Sequence, residues 1–265
     1  MKPLTIVKIG GKVTDSRAAL YHFLDAFASL PGLKLLVHGG GKQVTETGVQ
    51  LGVRSTFVEG RRITDDRTLE VVVMVCGGSI NKTITAYLQS KGCDAIGISG
   101  ADGNVITATK RPVIDVDFGL VGDVVSEGVN CDLLNLLLNS GLIPVVAPLT
   151  HDGCGNLLNT NADTIAQEIA KSLSRQYEVQ LIYCFEHRGV MANPKDSASV
   201  IANLSQEDYH NLSTAGVISG GMIPKLENAF QAVSRGVRSV VIGHASELSD
   251  LTRGKAGTTI KLKEV

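Results

Sequence analysis

The stretch Val37-His38-Gly39-Gly40-Gly41-Lys42 narrows the possible folds more than any other part of this chain. An apolar run at 33–37 leads into it and reads as a buried strand, and residues 43–50 after it can form a helix. Strand, glycine turn and helix in that order is how an open α/β sheet builds an anion site. Without Cβ atoms the backbone comes close to a ligand, and free N–H groups at a helix start favour negative charge. Such a turn is also often only a turn, so it points to a fold class before it points to a function. A second unit of this kind precedes it. Residues 4–9 are strand-like, Gly10-Gly11-Lys12 closes them, and a helix capped by Asp15 or Ser16 carries Leu20, Phe23, Leu24 and Phe27 at helical spacing. Lys8 interrupts that apolar strand. A lysine there either reaches water from an edge or faces an anion beside the glycines.

The remaining chain reads as more strands and helices. Residues 56–63 form a hairpin turning at Glu59-Gly60, with Arg61 and Arg62 on its second arm. A forked guanidinium there grips a carboxylate in two places, or both arginines are simply solvated. A helix capped by Thr64 or Asp65 runs over 66–90. Its Gly77-Gly78 pair costs roughly 1 kcal/mol per glycine, which predicts close packing against another helix, such as that of a dimer mate. Residues 94–99 are a strand, 105–109 return as its hairpin arm, and 121–125 are another strand. A helix covers 133–138, and the apolar strand 142–147 suits a sheet centre. Asn159, Asn161 and Asp163 would share one face if the strand at 157–158 continued through them; Asp163 alone reads as an N-cap. Arg175-Gln176-Tyr177-Glu178 marks a junction between lobes at 1–176 and 177–265. Beyond it lie a strand at 179–184, a polar loop at 186–199, a helix from Ser205 to about Thr214, and closing strands at 237–242 and 258–262. Ser219-Gly220-Gly221-Met222-Ile223-Pro224-Lys225 is a third glycine loop with a lysine. The fold class is α/β, an open, mainly parallel central sheet sandwiched by helices, in two lobes.

Composition and missing motifs exclude much. A formal charge of −1 gives no field to recruit nucleic acid or an acidic membrane. Five cysteines, scattered singly, read as small apolar residues in a reducing compartment. No signal peptide and no continuous apolar run of membrane length is seen, so a soluble, cytoplasmic protein is expected. Each Gly-Lys pair is followed by Val13, Gln43 or Ala256, which rules out a P-loop. GxGxxG after a strand, HExxH, paired cysteines and GxSxG are missing too. His38 reads as a structural hydrogen-bonding group, not a base. Three glycine loops, Lys8, Lys225 and Asp163 remain. Phosphoryl transfer needs little more than positioning and positive charge where the moving group is most anionic.

In this order, Lys8-Ile9-Gly10-Gly11, His38-Gly39-Gly40-Gly41, Gly60-Arg61-Arg62-Ile63-Thr64-Asp65, Asn159-Thr160-Asn161-Ala162-Asp163 and Gly220-Gly221-Met222-Ile223-Pro224-Lys225 resemble the acetylglutamate kinases, of the amino-acid kinase fold. The resemblance covers nearly the whole chain. It implies ATP-dependent phosphorylation of the side-chain carboxylate of an N-acylated glutamate, the second step of arginine synthesis. Lys8 and Lys225 would stabilise the transferring phosphoryl group, and Asp163 would align them. Gly11 and Gly41 would donate N–H to phosphate or the attacking carboxylate, with Gly10 and Gly40 shaping the loops and Gly220 and Gly221 on the phosphates. Arg62 and Asn159 would hold the α-carboxylate and Asn161 the acylated amine. Mg2+ would ride on the ATP phosphates, with no protein side chain as metal ligand. The chain departs from the family on the nucleotide side, where Glu186 stands before Gly189-Val190, and at Lys42-Gln43, where many relatives have a proline. The added charge of Lys42 would suit a longer, more anionic acyl group such as N-succinyl. The start of the first strand near Leu4 implies a homodimer insensitive to arginine. Rival readings are another kinase of this fold, acting on carbamate, aspartate or a nucleotide, and a non-catalytic amino-acid sensor.

Overall fold

The computed structural model describes residues 1–193, 196, 199–218 and 222–261. In chain order its elements are β1 (Lys2–Ile9), α1 (Gly11–Thr14), α2 (Arg17–Ala28), β2 (Leu33–His38), α3 (Gly41–Gln50), β3 (Thr56–Val58), β4 (Arg61–Ile63) and α4 (Asp66–Val72). A π-helical segment, Val73–Ile80, joins α4 to α5 (Asn81–Ser90). Then come β5 (Ala95–Ile98), β6 (Ile106–Lys110), β7 (Gly122–Val129), α6 (Cys131–Asn139), β8 (Ile143–Val146), β9 (Leu149–His151), β10 (Leu157–Asn159), α7 (Ala162–Leu173) and β11 (Tyr177–Phe185). The described chain closes with α8 (Gln206–Thr214), α9 (Met222–Ser234), β12 (Ser239–His244), α10 (Leu248–Thr252) and β13 (Thr258–Ile260).

A seven-stranded sheet in the order β13-β12-β11-β1-β2-β8-β5 forms the centre, parallel except at β13. Its strands are apolar on both faces because helices cover both. Leu4 and Ile6 of β1 join one core with α6, α7, α8 and α9; Val7 and Ile9 join the other with α2, α3, α5 and α10. Side chains alternate across a strand, so Lys8 shares the α7 face with Leu4 and Ile6. The sheet runs unbroken through the expected lobe junction, since β11 pairs with β1 along its whole length.

Three expectations are corrected. The arm at 106–110 does not return against β5: β6 pairs with β7 and β9 in a separate sheet, β10-β9-β6-β7. The strand at 143–146 is not central but lies next to the edge strand β5, while β1 takes the middle. Asn159, Asn161 and Asp163 do not share a strand face. β10 stops at Asn159, Asn161 caps α7 by accepting from Asp163 N at 2.7 Å, and Asp163 lies in the first helical turn. Within the chain, Gly77 packs on Leu149 of β9. The continuous helix Asp66–Ser90 is long and apolar enough to pass for a membrane span by composition. Here it is a core helix, burying Val71, Val72, Val75, Cys76, Ile80, Ile84 and Leu88.

The end of α2 shows how tightly this frame is tied. Lys34 on β2 is buried, and its ammonium donates to the carbonyls of Phe27 (3.0 Å), Ala28 (2.7 Å) and Leu30 (2.8 Å). Phe27 and Ala28 lie in the last turn of α2, where carbonyls run short of intrahelical partners, and Leu30 lies just beyond its cap. Lys34→Met removes all three donors, and urea unfolding is expected to show a loss of about 2–4 kcal/mol.

Candidate active site

The C-terminal ends of β1, β2 and β11 carry the polar residues, as is usual where an open α/β sheet binds ligands. Lys8 Nζ lies 2.5 Å from Asp163 Oδ1, and Lys225 Nζ, from the first turns of α9, lies 2.9 Å from Oδ2. One carboxylate therefore holds both ammonium groups. Burial acts to raise the Asp163 pKa, but the two lysines outweigh it and keep the carboxyl well below the usual carboxylate range. Tyr183, opposite Lys8 in the β1–β11 register, steadies the backbone there by donating from its hydroxyl to Asp163 O at 3.3 Å.

Two glycine turns adjoin this triad. Gly10 and Gly11 follow β1, and the second turn is hydrogen-bonded to the end of β1 through Gly39 N to Ile9 O at 3.0 Å. Gly40 opens α3 with no side-chain cap. A Cβ on Gly40 would lie 2.5 Å from Ile80 Cδ1 and 2.9 Å from Cys76 Sγ, so the turn sits directly on the π-helical segment. Gly220 and Gly221 lie outside the described residues.

The β3–β4 hairpin crosses to the second glycine turn. Arg62 is buried and donates to Gly41 O (2.6 Å), to Thr45 Oγ1 (3.0 Å) and to Ser55 Oγ, with Phe57 against its guanidinium plane at 4.6 Å. It has no carboxylate partner among the described residues. A buried cation without a counter-charge is costly, and an anionic ligand would relieve that cost. Arg61 is exposed. Asn159 Nδ2 donates to Thr64 Oγ1 at 3.0 Å, two residues beyond Arg62. Asn161 stays close to the triad as the cap of α7. Lys42 does not point a free charge at the turn, since it pairs loosely with Asp15 (3.8 Å) and Glu46 (3.7 Å).

On the far side of Lys225 is a cavity of about 430 Å3. Phe185, Glu186, Gly189, Met191, Ile218 and Met222 are among its lining residues. Its largely apolar wall left no motif to find. Among the described residues no three His, Cys, Asp or Glu side chains gather as a metal would need.

A family model described as the amino acid kinase family matches residues 3–244. The chain belongs to the amino acid kinase family. An acetylglutamate kinase from Bacteroides thetaiotaomicron is 52% identical over 258 residues, covering 97% of this chain and 98% of that protein. Among solved structures of the amino acid kinase fold, a carbamate kinase from Giardia lamblia bound to AMP-PNP has a TM-score of 0.68 at 15% identity, covering 98% of both chains. An N-acetylglutamate synthase from Neisseria gonorrhoeae, complexed with coenzyme A and N-acetyl-glutamate, superposes with a TM-score of 0.82 at 22% identity. That match covers 99% of this chain and 60% of the synthase.

Sequence reasoning missed Tyr183, Asn81 and the Thr45 and Ser55 partners of Arg62; none carries a motif, and each matters only through contacts distant in sequence. His38, read as structural, is fully buried, and burial pushes its imidazole down to about 4. Below pH 6.5 the unfolded chain takes up a proton that the folded state refuses. Stability is thus complete above 6.5 and is lost as pH falls towards 4, by about 3 kcal/mol for this group. Urea unfolding between pH 7 and pH 4 should show the wild type losing that much more than His38→Asn.

Proposed function

We propose that this protein transfers the γ-phosphoryl group of ATP to the side-chain carboxylate of an N-acylated L-glutamate, N-acetyl-L-glutamate being the substrate its relatives are named for, as the second step of arginine biosynthesis. The observation that carries this reading is one carboxylate, Asp163, holding Lys8 and Lys225 between two glycine turns and a buried, unpaired Arg62. The acceptor carboxylate is ionised at pH 7, so no general base is required. An ammonium has three N–H donors, and one from each lysine meets Asp163. The others are available to the oxygens of the migrating group, where positive charge counts most. Gly10, Gly11, Gly40 and Gly41 lend backbone N–H groups or closeness to the phosphates and the acceptor. Arg62 and Asn159 take the α-carboxylate, and Asn161 takes the acylated amine. Acylation itself keeps the amine from attacking the acyl phosphate and closing a ring.

Residues 1–176 form the acylglutamate lobe in this reading, and 177–265 form the ATP lobe, with the nucleotide base in the cavity beside Glu186 and Gly189. Mg2+ is held by the phosphate oxygens of the nucleotide. Lys42 already faces Asp15 and Glu46, so the acetyl group is the simpler acyl substituent; the succinyl group remains the comparison to make.

An ADP-release assay should show turnover with N-acetyl-L-glutamate and none with free glutamate. No ADP with either N-acetyl- or N-succinyl-L-glutamate would refute the reading. Lys8→Ala and Lys225→Ala should each lower kcat by about 10²–10⁴, whereas Arg62→Ala should chiefly raise KM for the acylglutamate. In this reading the protein is a homodimer. Light scattering is expected to give twice the 27.9 kDa chain mass, and a monomer would contradict it.

A further inference from the structure

His38 and Asn81 are both buried, and the phosphoryl-transfer reading gives neither a role. His38 Nδ1 lies 2.9 Å from Gly39 O. A carbonyl oxygen only accepts, so Nδ1 carries the proton and Nε2 is left as an acceptor. Asn81 Nδ2 lies 3.2 Å from Nε2 and gives its second hydrogen to Val145 O at 2.9 Å. Asn81 Oδ1 accepts from Lys82 Nζ at 3.1 Å, and that ammonium also donates to Gly97 O at 2.7 Å. Every donor and acceptor along this line has one assignment, which leaves the imidazole a single tautomer and a single orientation.

The surroundings are shaped to bring Asn81 there. It follows directly on the π-helical segment, and its own N–H bonds back to Cys76 O, five residues earlier. Such segments are uncommon and occur frequently at functional sites. Cys76 and Ile80 of the same segment form the floor beneath Gly40. On the opposite side, a Cβ on Gly97 of β5 would fall 2.1 Å from Asn81 Oδ1 and 2.5 Å from Thr85 Oγ1. Only glycine lets the helix approach that strand closely enough for Asn81 to reach His38.

We infer that His38 and Asn81 are positioning residues for the glycine turn: Asn81 fixes the imidazole, the imidazole fixes the Gly39 carbonyl, and the peptide groups of Gly40 and Gly41 are thereby aimed at the ligand. The inference rests on the reading of that turn as part of the phosphoryl-transfer site. A misdirected donor costs rate out of proportion to the displacement, because the reaction depends on alignment. Lys82 is the charged group facing the pair. Ile9 on β1 and Val146 on β8, flanking the end of β2, do not titrate, and burial pushes the Cys76 thiol up to about 12.

The test is steady-state kinetics of the full chain with ATP and N-acetyl-L-glutamate, alongside thermal melts. His38→Asn keeps an amide hydrogen near the Nδ1 position, whereas His38→Gln places its amide near Nε2 and loses the donor to Gly39 O. His38→Gln is expected to lose about 30-fold in kcat and His38→Asn about threefold. Asn81→Asp sets a carboxylate oxygen against the Nε2 lone pair and Val145 O, a clash that protonation of His38 relieves. Its kcat relative to wild type should be about tenfold down at pH 8.5 and should recover towards pH 6. Equal kcat in the two His38 variants, or melting temperatures that fall while kcat stays within twofold of wild type, would overturn the inference. If a His38 variant does not fold, the pH ratio of Asn81→Asp decides alone, and a ratio flat with pH rejects the positioning role. A wild-type protein that releases no ADP would refute the functional reading instead, so the two failures are told apart.

Discussion

Two ammonium groups cannot share a small, half-buried space without a counter-charge. Two unit charges 4 Å apart repel by about 4 kcal/mol at an effective dielectric constant near 20. Asp163 turns that repulsion into attraction by offering one oxygen to each lysine. Much of the architecture serves that meeting. Alternation along β1 aims Lys8 at the α7 face, the cap at Asn161 starts α7 so that Asp163 falls in its first turn, and α9 brings Lys225 from the far end of the chain. A helix N-terminus favours an anion, so the carboxylate is also well placed against the α7 dipole. With both partners present its charge persists far into acid, and the lysines stay apart yet close.

The substrate side is organised by a different device. The β4 arm continues into Thr64, whose N–H donates to Phe118 O at 2.9 Å and whose carbonyl accepts from Leu120 N at 2.7 Å. Asn159 N in turn donates to Leu120 O at 2.9 Å. Hairpin, connecting loop and β10 are thereby laced side by side above the main sheet. Arg62 and Asn159, remote in sequence, acquire their relation from this lacing and from no direct contact of their own.

What could be read from the chain follows from how local each signal is. Strand–glycine–helix units declare themselves through apolar runs and breakers a few residues apart, so β1, β2 and the helices after them were legible. Lys8 was legible as a lysine out of place in an apolar strand beside glycines, Lys225 as the lysine of a third glycine loop, and Asp163 only as part of a dense polar cluster before a helix. The partners of β6 were not, because pairing across the second sheet is settled by tertiary packing and hairpin proximity misleads. Asn81 looked like any polar residue of a long helix. Its place depends on the wider winding of Val73–Ile80, which nothing in the local sequence beyond Gly77-Gly78 hints at. The cavity by Phe185 escaped notice because Met191, Ile218 and Met222 look the same lining a pocket as filling a core.

The middle of the sheet has a history as well as a position. β1 (Lys2–Ile9) is made long before β11, which covers one of its two edges and begins only at Tyr177. During translation that apolar edge has no native neighbour until the strand from Tyr177 has been made, and unpaired strands of this kind recruit other chains. Lys8 waits in the same way, since Asp163 and Lys225, which complete its charge cluster, come far later in the sequence.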